Sequence, residues 1–153
     1  MKEIKTLIQE HPFFAGLDHS ALELIAGCAS NVHFAAGQYL FHEGGPANQF
    51  YVIRAGHVRI ETHVPGRGAV VIETIREGEV LGWSWLFPPY IWQFDAAATE
   101  SVRATAFDGK CLRGKCQENH DLGYELAMRS ASNLLQRLQA ARLQLLDVYG
   151  PRA

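Results

Sequence analysis

The sequence predicts a mainly β domain flanked by helices, on three observations. Between Val32 and Asp108, short runs rich in Val, Ile, Phe, Tyr and Thr are separated by Gly or Pro turns. Many short strands at this spacing indicate an antiparallel sandwich or barrel. Before and after that stretch the apolar period is helical. The last of these helical segments is long and carries an apolar heptad pattern.

The elements follow in order. Residues 3–10 read as a helix ended at His11-Pro12, because proline disfavours helix in the residue before it. Phe13-Phe14 offers a large apolar surface ahead of a turn at Gly16. Asp18 caps the next helix, whose Ala21, Leu22, Leu24 and Ile25 form a buried stripe. The strands expected are Val32–Phe34, Tyr39–Phe41, Gln49–Arg54, His57–Glu61, Ala69–Ile75, Val80–Leu81, Ala96–Thr99 and Ser101–Phe107. His57 to Glu61 alternates, so Val58 and Ile60 share a face. Pro65 to Gly68 is a hairpin tip. Asp108 caps a helix over Lys110–Gln117, and Asp121 caps a final helix to about Val148, ~40 Å long, which Gly150-Pro151 stops. The whole of 1–153 is expected as one domain: N-terminal helices over 1–30, the β-barrel over 31–108 and C-terminal helices over 109–149.

Composition bounds the function. The apolar fraction of 48% and charged fraction of 20% fit a globular chain. Residues 1–109 hold 7 Lys+Arg against 12 Asp+Glu, and residues 110–153 hold 7 against 4. Neither part has the basic footprint of a nucleic-acid binder. Three cysteines (Cys28, Cys111, Cys116) are an odd number without framework spacing, which predicts a reducing, cytoplasmic setting. Cys28 is read as core, and Cys111 and Cys116 fall on different faces of one helix. No apolar run reaches ~18 residues, so no membrane span is expected.

Gly78 to Thr99 holds all three tryptophans, Trp83, Trp85 and Trp92. A strand end, Gly82 and a short apolar segment have the form of an anion-binding turn, with the amides of Trp83, Ser84 and Trp85 as donors. Upstream, Gly37, Gly44 and Gly56 punctuate strands such as Phe50 to Ile53. This order of motifs, over residues 12–149, resembles the cyclic nucleotide-binding domain, the sensor of catabolite-activator (Crp/Fnr-type) regulators, protein kinase regulatory subunits and gated channels. The resemblance implies an antiparallel jelly-roll (cupin-like, double-stranded β-helix) barrel, and it puts the family's phosphate-binding cassette on Gly78 to Thr99.

Two key positions of that cassette differ. The family has a glutamate after the glycine, holding the ribose, where this chain has Trp83. It also has an arginine for the phosphate ahead of an Ala-Ala-Thr-like strand, where this chain has Phe94-Asp95-Ala96 before Ala97-Ala98-Thr99. No arginine stands between Arg76 and Arg103. The expectation is a non-enzymatic small-molecule sensor or regulatory module that does not take cAMP or cGMP in the standard way. Its candidate ligand residues are Gly82, Trp83, Ser84, Trp85, Phe94, Asp95, Ala97 and Ala98, with Arg137 from the last helix as a substitute arginine. The cofactor expected is none, or a small aromatic or nucleotide-like ligand.

Two other classes stay open. One is a ligand-free dimerisation or scaffold module of the same fold. The other is a small metal-dependent cupin enzyme, drawing on His33, His42, His57 and His63. No His-x-His pair occurs among the seven histidines, so no metal is expected. Nor does Ser84 sit in a nucleophile-elbow pattern, so no catalytic residue is assigned.

The resembling regulators continue into a DNA-binding domain, and this sequence stops about where their hinge lies. No direct DNA binding is expected of it, and a protein partner is left open. Ala127, Ala131, Leu134, Leu138, Ala141, Leu145 and Val148 step by 4, 3, 4, 3, 4, 3. That unbroken heptad seam predicts a homodimer through the last helix, the helix through which the resembling regulators pair in parallel.

Overall fold

The computed structural model describes residues 4–149. Helix α1 (Ile4–Glu10), a 3-10 turn (Pro12–Phe14) and helix α2 (His19–Ala26) lead into eight strands. These are β1 (Ala29–Phe34), β2 (Tyr39–Phe41), β3 (Gln49–Ala55), β4 (Val58–Val64), β5 (Gly68–Ile75), β6 (Val80–Leu81), β7 (Asp95–Ala98) and β8 (Val102–Asp108). Helices α3 (Gly109–Glu118) and α4 (His120–Tyr149) follow. The caps at Asp18 and Asp108 form as expected, each carboxylate accepting from the amide three residues on. For α4 it is Asn119, two residues before Asp121, whose Oδ1 accepts from Leu122 N at 3.1 Å. Gly150-Pro151 lies outside the described residues.

The strands form two antiparallel four-stranded sheets, ordered β1-β8-β3-β6 and β2-β7-β4-β5. This corrects the expected closed barrel. β1, β6, β2 and β5 end their sheets as edges, so the layers face each other as an open jelly-roll-like sandwich. Alternation cannot separate the two forms, because both bury one face of each strand.

Two cores result. Between the sheets lie Phe41, Tyr51, Ile53, Val58, Ile60, Ile75, Leu81, Trp92, Ala96, Ala98, Val102, Ala104 and Ala106. On the outer face of the first sheet, Phe50, Val52 and Phe107 meet Ile8, Phe14, Leu22, Ile25, Trp85, Leu112, Leu122 and Leu126. β3 serves both cores: successive side chains point to opposite faces, so Phe50 and Val52 meet the helices while Tyr51 and Ile53 enter the sandwich. A continuous apolar run in the sequence marks such a doubly covered strand.

Cys28 and Cys111 are joined in a disulfide, with Cα atoms 5.8 Å apart and a sequence separation of 83. This corrects the expectation of Cys28 as core alone and of three cysteines without a disulfide framework. Spacing could not show the bond, because β8 returns antiparallel beside β1 and sets the start of α3 against the end of α2. Closing a loop of that length contributes about 4–5 kcal/mol in the chain-entropy account. No helix among the described residues is long and apolar enough to cross a membrane.

Candidate functional site: the cassette between beta6 and beta7

The segment from Gly78 to Asp95 crosses from the turn before β6 to the start of β7 and passes under α4. Gly82 has φ +98°, a left-handed value that costs a residue with a Cβ. A Cβ there would also sit 2.8 Å from the Trp92 indole. Leu86 N bonds Trp83 O at 3.1 Å, so the segment after Gly82 is a tight turn and not a helix N-terminus.

The structure separates the three tryptophans. Trp92 is 3% exposed and enters the sandwich beneath Gly82, where it stacks on Phe41 with ring centroids 3.6 Å apart and planes 8° apart. Phe94 flanks it at 6.4 Å and lies 5.8 Å from Trp83. Trp85 turns the other way, into the helical core, and stacks on Phe50 at 5.0 Å. Ser84 is buried. The cleft bounded by Phe13, Phe50, Gly82, Trp83, Trp85, Ser130 and Asn133 has a volume of only about 10 Å³, roughly the room one water needs. Trp85 and Trp92, which the sequence offers as ligand wall, are spent on packing, while Trp83 and Phe94 stay half-buried.

The start of β7 faces a different way. Asp95 accepts from Glu43 N at 2.7 Å, and His42 Nδ1 is 3.7 Å from the same oxygen. Ala97 pairs with Tyr39 on one side and Arg59 on the other. Around it, Tyr39 donates to Glu61 at 2.7 Å and Arg59 Nε to the other oxygen at 3.0 Å. The Tyr39 hydroxyl, then Arg59, hold the Glu61 carboxyl below its ordinary range. Ala96 and Ala98 face the sandwich core. Tyr51 also lines that core, and burial pushes its phenol up to about 12.

Arg137 of α4 lies against the cassette. Its guanidinium carbon lies 5.5 Å over the Trp83 ring. Its side chain is 12% exposed and its charge is met by Glu73, bonded through Nη1, and by Glu79 Oε2 at 3.6 Å. Nη2 donates to Val80 O at 3.1 Å, and Nε to Asn133 Oδ1 at 3.1 Å. A guanidinium so engaged has few donors left for an anion. Glu73 and Glu79 were not foreseen as its partners. A signal existed in α4: Leu122, Leu126, Ser130, Asn133 and Arg137 are buried or half-buried at helical spacing, which places polar residues on its inward face.

On the far side, Arg113 of α3 donates through Nη1 to Trp85 O, and its guanidinium lies 4.0 Å over Tyr90. The cassette is thus held from α4 through Arg137 and from α3 through Arg113. Of the seam residues, Leu134 is half-buried, while Ala127, Ala131, Leu138, Ala141, Leu145 and Val148 are exposed.

This arrangement has relatives. A sequence profile of the cyclic nucleotide-binding domain matches residues 31–119. An Arabidopsis thaliana cyclic nucleotide-gated ion channel is 32% identical over 65% of this chain and 15% of its own length. The CRP-like cAMP-activated global transcriptional regulator of Mycobacterium tuberculosis is 26% identical over 90% of this chain and 62% of its own. The chain therefore spans less than two thirds of these relatives. A Geobacter metallireducens crystal structure, assigned by name to cyclic nucleotide binding, superposes with TM-score 0.80 at 28% identity, covering 90% of this chain and 99% of that one. This chain belongs to the cyclic nucleotide-binding domain family, with Crp/Fnr-type regulators among its relatives.

Proposed function

We propose that this domain is a non-enzymatic regulatory module in which the state of the cassette is passed to α4 through Arg137, and that cAMP and cGMP are not its ligands in the family's usual manner. The observation carrying this reading is the Trp92 indole, stacked on Phe41 beneath Gly82 where a bound molecule would need room. A ligand that enters is a small planar aromatic, which displaces Trp92 or stacks on Trp83. Ser84 is buried and unsuited to act as a nucleophile toward solvent-borne substrate. The partner is a second copy of the chain through the seam of α4.

The test is calorimetric titration with cAMP and with cGMP at neutral pH. Two charge-assisted contacts to phosphate and ribose, at about 1.5–3 kcal/mol each, are missing, which lowers affinity roughly 100-fold or more. Dissociation constants of high micromolar or weaker are expected. A value in the low micromolar range or tighter overturns the reading.

A second reading is a dimerisation module with no ligand, favoured by the cleft of about 10 Å³. Native mass spectrometry of the purified protein separates the two. A bound small molecule supports the sensor, and bare protein supports the scaffold.

A further inference from the structure

We propose that the Cys28–Cys111 disulfide is a reversible two-electron switch that sets how firmly α3 holds the cassette, whether or not any ligand enters it. The argument rests on what α3 touches. Cys111 stands in its first turn and is bonded to Cys28, just past the end of α2. Two residues on, Arg113 holds the cassette through Trp85 O and the Tyr90 ring. Between them Leu112 is fully buried, and Gly109 packs so closely on Trp85 that a Cβ there would lie 2.8 Å from its own. The bond and the cassette contacts therefore share one turn of one helix.

Other ties keep the domain folded when the bond opens. Asp108 N bonds Cys28 O at 2.8 Å, and Lys115 Nζ bonds Leu24 O at 3.0 Å. Opening loosens the first turn of α3 at Cys111 while these bonds keep the helix docked.

The co-reactant is a dithiol. Its thiolate attacks the sulfur of Cys111, a half-buried residue, whereas Cys28 is only 7% exposed. A mixed disulfide forms and Cys28 leaves as a thiolate that takes up a proton. The second thiolate of the reductant then displaces the Cys111 sulfur, which is protonated in turn. The protein gains two electrons and two protons, and the dithiol leaves as a disulfide.

The experiment uses the wild-type chain equilibrated with glutathione disulfide, then with dithiothreitol, then reoxidised. Alkylation under denaturing conditions counts thiols: of three cysteines, Cys116 alone reacts in the oxidised form and all three react after reduction. Hydrogen exchange is read in parallel. On reduction, amides of residues 83–91 exchange about tenfold faster while the β4–β5 hairpin is unchanged, and reoxidation reverses this. In Arg113→Gln the segment exchanges fast in both states. Three reactive thiols after treatment with glutathione disulfide overturn the proposal. So does reduction that leaves 83–91 unchanged, or that speeds the β4–β5 hairpin equally, which marks a plain staple.

Discussion

Arg137 lies over the face of Trp83 while Glu73 and Glu79 meet its charge, so one side chain of α4 touches both the turn after Gly82 and the strand and turn that lead into it. The cation–π contact contributes about 0.5–2 kcal/mol. The ion pairs are worth less than their number suggests, because Glu73 and Glu79 are 35% and 42% exposed and water screens them. Arg137→Ala is expected to destabilise the domain by about 1–3 kcal/mol, mostly through the lost contact with Trp83 and the unmet Val80 carbonyl. Urea unfolding measures this, and a shift in tryptophan emission without loss of fold reports the release of Trp83.

Gly82 and Trp92 form a matched pair. Gly82→Ala combines a φ of +98° with a Cβ 2.8 Å from a buried indole. It is expected to cost about 2 kcal/mol or more, because neither the backbone nor a ring stacked on Phe41 can yield cheaply. Trp92→Ala is expected to cost about 3–5 kcal/mol through lost packing and a residual cavity. It should also create an aromatic-sized hole, which titration with indole followed by thermal denaturation can detect as a rise in Tm. If Trp92→Ala is as stable as wild type, the ring is not a core residue.

His11 predicts a pH response. Its Nε2 bonds Gly78 O at 2.7 Å and its Nδ1 accepts from Phe13 N, so the ring is neutral with the proton on Nε2. Burial is the larger influence and lowers its pKa from the ordinary 6.5, the Gly78 carbonyl opposing it. The unfolded chain then takes a proton before the folded one does. Stability present above pH 6.5 is therefore lost as pH falls through 6.5 and levels off below the folded-state value. The loss in His11→Gln should be smaller over that window. Urea midpoints at pH 7.5 and 5.5 for both proteins check it.

Much of the frame was legible in the sequence because its signals are local. Glycines at turns, alternation in His57 to Glu61 and the caps at Asp18 and Asp108 each follow from a few adjacent residues. The site was less legible because its outcome depends on which face a residue turns to. Trp83, Trp85 and Trp92 sit within ten positions, yet Trp92 fills the sandwich, Trp85 the helical core and Trp83 meets Arg137. The Cys28–Cys111 bond and the Glu73–Arg137 pair join elements far apart in sequence, which no spacing reveals.

The seam of α4 carries the last prediction. A helix of 30 residues runs about 45 Å. Its buried positions end early: Leu122, Leu126 and Ser130 are covered, and Asn133, Leu134 and Arg137 are partly so. From Leu138 to Tyr149 every residue is exposed, including Leu138 at 48%, Leu145 at 57% and Val148 at 61%. The inward stripe and the heptad seam are therefore different faces over the first turns, and only the seam continues past Arg137. Exposed leucines at heptad spacing are what a parallel partner helix covers. Wild type is expected to sediment as a dimer at tens of micromolar. Leu138→Glu places a charge in the seam without touching either core, so it should sediment as a monomer with unchanged urea midpoint for the β sandwich. A monomeric wild type, or a mutant that stays dimeric, removes α4 from the interface.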